Sequence, residues 1–342
     1  MVKRFFSRLL IFCSPFILVV ILYVILDPFK VIRKYACYYI SDEIPGVSIN
    51  RGYVSACVFD NQNANYRYDS FIFGNSRSIV YEIDDWKQYL QEGSSCFHFD
   101  ASGESLYGMY RKIQYLFNKE GSLANALIIL DYDTLKQISS NKGHLFFLAP
   151  QLDENKNFAL FHQISFKAFL NPFFLFAYLD FIFSKKLKPY MTKNNFLDDR
   201  PLHYNAETNE LSYPYFEKLI AEGRYYTSER MKVFTPREFT GQQYSPVVIE
   251  DKQKMMLSAI QTIFQNKNTR YRIIINPLYD QFKLNEQDLI YLENVFGKEN
   301  VFDFSGINEI TNDYTNYYEN SHYRPHVARS IMQKIYKNIN RE

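Results

Sequence analysis

The sequence carries almost no net charge: 39 lysines and arginines stand against 37 aspartates and glutamates over 342 residues, a formal +2. Nucleic-acid binding asks for a concentrated basic face, and so close a balance argues against that partner. Cysteine is scarce as well. Of four, Cys13 lies in an apolar segment, and the other three, Cys37, Cys57 and Cys96, cannot all pair within one chain. At most one disulfide forms. No two cysteines stand in Cys-x-x-Cys spacing, which speaks against a structural zinc or a thioredoxin-like role and leaves buried free thiols as the reading.

Long apolar runs are limited to one. Over residues 9–26 only Cys13, Ser14 and Tyr23 interrupt the apolar side chains, about the length that crosses a bilayer as a helix. The run passes into Asp27-Pro28-Phe29-Lys30 and not into the small residues of a cleavage site. Residues 1–34 therefore read as a transmembrane anchor, with a cleaved signal peptide as the alternative. Lys3, Arg4 and Arg8 before the run are matched by Lys30, Arg33 and Lys34 after it, so charge alone sets no orientation. Phe12 directly before Cys13 is a poor fit to a lipid-attachment site.

What is abundant is aromatic: 29 Tyr and 31 Phe, with an 18% aromatic share. These fill a core, and where exposed they stack on sugar rings or sit at a membrane interface. Length and a 47% hydrophobic content fit one large α/β domain with insertions. Residues 40–68, polar with scattered Gly, Pro and Asn, read as a linker into an edge element. Strands are expected over 68–73, 96–100, 127–130, 271–275 and 300–304, with helices over 105–118, 251–265, 285–296 and 325–337. The stretch 80–90 has near-helical spacing. This alternation predicts a mostly parallel five-stranded sheet flanked by helices, a flavodoxin-like three-layer fold. Residues 137–250 interrupt the rhythm. The aromatic segment 158–183 is too short in its continuous apolar part, and carries Asp180, for a second crossing. It reads either as a helical subdomain packed over the catalytic edge or as an amphipathic piece lying on the membrane or against a membrane partner. The part after it, from Asp198-Asp199-Arg200 through Tyr226, reads as surface loops that line a groove.

The chemistry concentrates at two places. Phe71-Ile72-Phe73 stops at Gly74-Asn75-Ser76-Arg77, a strand-end turn that lifts a small side chain out at the carboxyl edge of a parallel sheet. Ser76 is the candidate nucleophile. Near the other end, Glu319-Asn320-Ser321-His322 places a carboxylate three residues ahead of a histidine, just before a helix opened by Pro325. His322 then lies in the preceding loop and does not share a helical face with His326, which makes a metal pair improbable. His322 is the candidate general base and Glu319 its orienting acid, with Asp313 as the nearest alternative. Gly103 lies in the turn after the second strand, where a glycine lets the turn form. His98 reads as a core or edge histidine.

These motifs, in this order, resemble the first and last blocks of the SGNH (GDSL-like) hydrolases. The likeness is closest to the membrane-anchored branch similar to alginate O-acetylation and teichoic acid D-alanylation proteins. The family's Gly-Asp-Ser stands here as Gly74-Asn75-Ser76 and its Asp-x-x-His as Glu319-Asn320-Ser321-His322. Its Gly-x-Asn-Asp block, whose asparagine donates to the oxyanion, is absent: Asp131-Tyr132-Asp133 follows the third strand. An ionised Asp131 cannot donate, which leaves the N–H groups of Ser76 and Gly103, with Asn276 as a further candidate donor. The resemblance implies a membrane-bound protein of 35–342 as catalytic domain on the extracytoplasmic side. It implies no cofactor and no metal, and an acyl-serine route to O-acetyl transfer or ester hydrolysis on a cell-surface polysaccharide, served by a membrane-bound O-acyltransferase. A non-catalytic glycan-binding or scaffold subunit and a lipid esterase stand as alternatives.

Overall fold

The computed structural model describes residues 2–237 and 241–337. Two helices, α1 (Val2–Leu26) and α2 (Arg51–Tyr66), precede the first strand of the sheet, β1 (Ser70–Phe73). Then follow β2 (Cys96–His98), α3 (Leu106–Asn118) and β3 (Asn125–Leu130). Two further helices, α4 (Phe158–Phe169) and α5 (Pro172–Ser184), fall in the interrupting segment. The alternation resumes with α6 (Asp251–Lys267), β4 (Arg270–Ile275), α7 (Glu286–Phe296), β5 (Val301–Asp303) and α8 (Pro325–Tyr336). The five strands form one sheet in the order β2-β1-β3-β4-β5, every pair parallel. The order reverses between β1 and β3, and such a switch point opens a crevice at the carboxyl ends of the strands.

Every residue of β1 and β3 is buried. Because side chains alternate along a strand, both sheet faces need cover. Phe71, Phe73, Ile128, Leu130, Ile273 and Ile275 point to one face and pack with α2, α3, α6 and α7. Ile72, Leu127, Ile129 and Ile274 point to the other, against Trp86 and the apolar side of α8 through Val327, Ile331 and Ile335. The result is an α/β fold whose parallel sheet is flanked by helices.

One expectation is overturned between 40 and 68. Most of that stretch is α2, opened by Asn50, whose Oδ1 accepts the N–H of Tyr53 at 2.9 Å, and closed by Arg67 in the left-handed region. The six residues from Val54 to Phe59 are all buried, so the helix carries no periodic polar face and its sequence looks like a linker. Stretch 80–90 divides into a 3₁₀ turn, Ser76–Val80, and a short helix, Ile83–Lys87.

The N-terminal segment forms one helix, α1, which runs through Pro15. No single helix among the described residues is long and apolar enough to cross a membrane; the apolar stretch of α1, Ile11–Leu26, falls short. Helices α4 and α5 meet that test only together, and they are bent by 72°. Their inner side packs with Tyr23, Phe29 and Val31 in a separate apolar cluster, so packing accounts for part of the aromatic segment. No disulfide forms among the four free cysteines, of which Cys57 and Cys96 are buried and Cys37 is exposed.

Candidate active site

The turn after β1 is set by Gly74. A Cβ there would lie 2.7 Å from Cβ of Ser78 and 3.0 Å from Cβ of Ile129 on β3, so only glycine lets the chain turn this close to the neighbouring strand. Asn75 then caps the 3₁₀ turn, its Oδ1 accepting the N–H of Arg77 at 2.9 Å. Ser76 opens that turn at the carboxyl edge of the sheet.

The acid-x-x-His motif folds as a tight hairpin. Tyr317–Glu319 pairs antiparallel with His322–Tyr323, and Glu319 stands directly across from His322. Three-residue spacing therefore places the acid beside the imidazole. His322 Nδ1 is bonded to Glu319 Oε1, and Nε2 lies 2.8 Å from Oγ of Ser76. With Nδ1 donating to the carboxylate, Nε2 is left to accept the hydroxyl proton, the tautomer a general base requires. Burial raises the Glu319 carboxyl, but the bond and charge of His322, the Ser321 N–H and the charge of Arg230 outweigh it and hold the group below its usual range. His326 sits on α8, bonded through Nε2 to Asn316 Oδ1 at 2.8 Å, away from this pair. Asp313 accepts from the N–H and hydroxyl of Thr315 and takes no part.

The hairpin is held from several sides, by Arg77 of the serine motif and by residues that carry no local signal in the sequence. Arg77 Nε donates to Ser321 O at 2.9 Å. Tyr225 and Tyr226 donate to the carbonyls of Tyr318 and Tyr317 at 3.0 and 2.8 Å. Arg324 forks onto Glu217 at 3.0 and 2.8 Å. Three of these partners, Glu217, Tyr225 and Tyr226, come from the 137–250 segment, so that segment buttresses the histidine loop as well as forming loops.

Asp131 makes no hydrogen bond to the serine hydroxyl, whose partner is His322. It is buried, with Oδ2 accepting from Asn75 Nδ2 at 2.9 Å, Arg77 Nη1 at 2.7 Å and Asn276 Nδ2 at 3.0 Å. Its Oδ1 takes the N–H and hydroxyl of Thr134. Burial raises its carboxyl, and Arg77, the Thr134 N–H and Asn75 together pull it below the usual aspartate value. Asn276 is thereby placed outside the oxyanion role expected for it. Its nitrogen is committed to Asp131, its oxygen accepts from Tyr323 at 2.7 Å, and it is buried beneath the cleft. The backbone N–H groups of Ser76 and Gly103 donate to no other backbone group among the described residues. Gly103 has a φ of +57° and sits against the Phe146 ring, lining the cleft with Ser76.

That cleft measures about 1020 Å³ and holds Ser76, Glu319 and His322 on one wall. Tyr39, Tyr213, Tyr215, Phe216 and Tyr318 supply aromatic surface, and Asp198, Asp199 and Arg200 line it as the loop reading expects. Also in its lining, Arg51 grips Asp100 through Nε and Nη2 at 2.9 and 2.7 Å, a largely buried pair that sequence reasoning missed. His98, fully buried with Nε2 3.0 Å from Ser78 O, is a core residue as read. The arrangement brings the candidate nucleophile, base and acid together in the lining of an aromatic cleft. The sequence matches no protein-family model and no curated protein that would place it in a family.

Proposed function

We propose that the chain is an SGNH-type serine acyltransferase or esterase, membrane-anchored through α1, that acts outside the cytoplasm on O-acetyl groups of a cell-surface polysaccharide. The observation that carries this reading is the Ser76–His322–Glu319 line, with Nε2 2.8 Å from Oγ. Ser76 Oγ attacks the acetyl carbonyl carbon while its proton passes to His322 Nε2. The developing oxyanion is met by the N–H groups of Ser76 and Gly103. Collapse breaks the ester C–O bond, and the departing sugar oxygen takes the proton from His322, leaving acetyl-Ser76. Water or a second sugar hydroxyl then attacks this ester, giving its proton to His322, and Ser76 leaves with that proton restored. Glu319 keeps the imidazole oriented and stabilises its charged form throughout. The tyrosines of the cleft offer faces for sugar rings.

The bilayer seat is supported by α1, which exposes Phe12 at 82%, Ile11 at 70% and Leu18 at 66%. Such a seat suits a protein that receives acetyl groups from a membrane-bound O-acyltransferase. One observation favours the second reading, a glycan-binding subunit without catalysis: among the described residues no Asn or Gln lines the cleft, so these residues supply no third oxyanion donor of the amide kind. The test is hydrolysis of para-nitrophenyl acetate by the full chain in detergent, beside Ser76→Ala and His322→Ala. Loss of the rate in both variants, with acetyl label on Ser76 of the parent, is the expected result. Equal rates in all three and an unlabelled Ser76 would sink the enzyme reading. A preference for long-chain over acetyl esters would turn it towards a lipid esterase.

A further inference from the structure

Helices α4 and α5 bury only one side. Inward, Phe161, Phe169, Phe174, Ala177 and Tyr178 meet Phe29 and the end of α1. Outward, Phe176 is 66% and Phe183 84% exposed, accompanied by Phe158, Leu170 and Ile182. An apolar face of this kind on a bent helix pair calls for a partner. Where the pair sits identifies that partner. The Phe166 ring lies 6.2 Å from Phe16 and 5.1 Å from Tyr23 of α1. At 1.5 Å rise per residue, Phe16 is about 15 Å up the helix from Leu26. Helix α4 therefore lies alongside the part of α1 whose own side chains are exposed and apolar. Any bilayer that takes up the apolar stretch of α1, Ile11–Leu26, about 24 Å long by the same rise, meets α4 at its boundary.

Charge points the same way. The exposed lysines Lys185 and Lys186 directly follow α5, next to Phe183. Long basic side chains beside exposed aromatics are what a helix at a lipid interface carries, the rings in the acyl boundary and the amines among anionic headgroups. We propose that α4 and α5 form a second membrane contact, an interfacial hairpin whose outer apolar face lies in the headgroup and acyl boundary of the leaflet next to the catalytic domain. The inference rests on the α1 anchor reading. Its consequence reaches the site: the Phe181 ring of α5 packs onto Gly46, where an added Cβ would meet it at 2.8 Å, and Val47 and Leu197 of the adjoining strand pair line the cleft. The hairpin thus fixes one cleft wall relative to the lipid surface.

The only tryptophan, Trp86, is fully buried and serves as an internal reference. Phe176→Trp, Phe183→Trp and Phe12→Trp, each in the full chain, are reconstituted into vesicles of phosphatidylcholine and phosphatidylglycerol, with or without acyl-chain-brominated phosphatidylcholine. All three positions are exposed, and far-ultraviolet circular dichroism checks that each variant keeps its fold. The expected result is that all three added tryptophans lose roughly half of their emission to the brominated lipid. Quenching at 12 with none at 176 or 183 overturns the hairpin contact, leaves the anchor standing and assigns the face to a protein partner. Quenching at 176 and 183 with none at 12 upholds the contact and removes the anchor, and no quenching at any position removes both.

Discussion

Glu319 reaches His322 because a two-residue turn makes them cross-strand neighbours, and glutamate spans the gap that aspartate fills in similar motifs. Replacing it by glutamine keeps shape and removes the charge that fixes the tautomer. Glu319→Gln is expected to lower kcat by a factor on the order of 10³–10⁴ with KM little changed, read from ester hydrolysis. Asp131 works one layer deeper. It holds Asn75, Arg77 and Asn276 at once, and Arg77 in turn holds the carbonyl before His322. Asp131→Asn takes the short ion pair from a mostly buried guanidinium, leaving Arg77 only the longer contact to Asp133 at 3.9 Å, and is expected to cost about 3 kcal/mol, measured by urea unfolding. The native carboxyl lies below its unfolded value. Its stabilising contribution is therefore complete above the unfolded aspartate pKa of about 3.9 and is lost as pH falls from there through the depressed native value. The variant should accordingly lack the part of the acid-side decline that the parent shows in that window.

At the scale of elements, the turn after β1 is where packing and chemistry are hardest to separate. Gly74→Ala would push its methyl into Ser78 and Ile129, so the turn must move and carry Ser76 with it. The expected cost is about 1–3 kcal/mol of stability, together with a loss of kcat that exceeds what the stability change accounts for, seen by comparing unfolding with turnover. The sheet and its helices were legible in the sequence because apolar runs and small-residue turns are local signals. Ser76, Glu319 and His322 were legible for the same reason, since their chemistry sits in two short motifs. What was hidden is long-range. Asn276 looks free to reach the edge until Asp131, 145 residues away, takes its nitrogen. Arg51 looks like a linker residue until Asp100 is seen opposite it. Helix α2 was hidden by burial on all sides of its middle, which erases the alternation that marks a helix.

For the molecule as a whole, the segment between α1 and the sheet domain is structural and not a tether. Asp27 is buried and accepts the N–H of Val31 at 2.8 Å, that of Arg33 at 3.0 Å and the Tyr35 hydroxyl at 2.9 Å. This fixes the exit from α1. Phe29, Val31 and Tyr38 are each less than 5% exposed; the first two lie in the α4–α5 cluster and the third in the core of the main sheet. A soluble fragment cut at the sequence-based boundary near residue 35 or 40 discards some or all of these side chains and bares the face they covered. Fully burying one large apolar side chain is worth about 1.5–3 kcal/mol, so losing all three removes on the order of 5 kcal/mol, a large share of ordinary domain stability. A fragment beginning at residue 27 keeps them and loses only α1. Urea unfolding of the two fragments side by side should therefore show a clearly lower midpoint for the one beginning at 40, with its loss concentrated in α4 and α5 by hydrogen exchange. Coincident midpoints and equal protection would mean that residues 27–39 are a tether after all, and that the α4–α5 cluster holds together without the chain that leads into it.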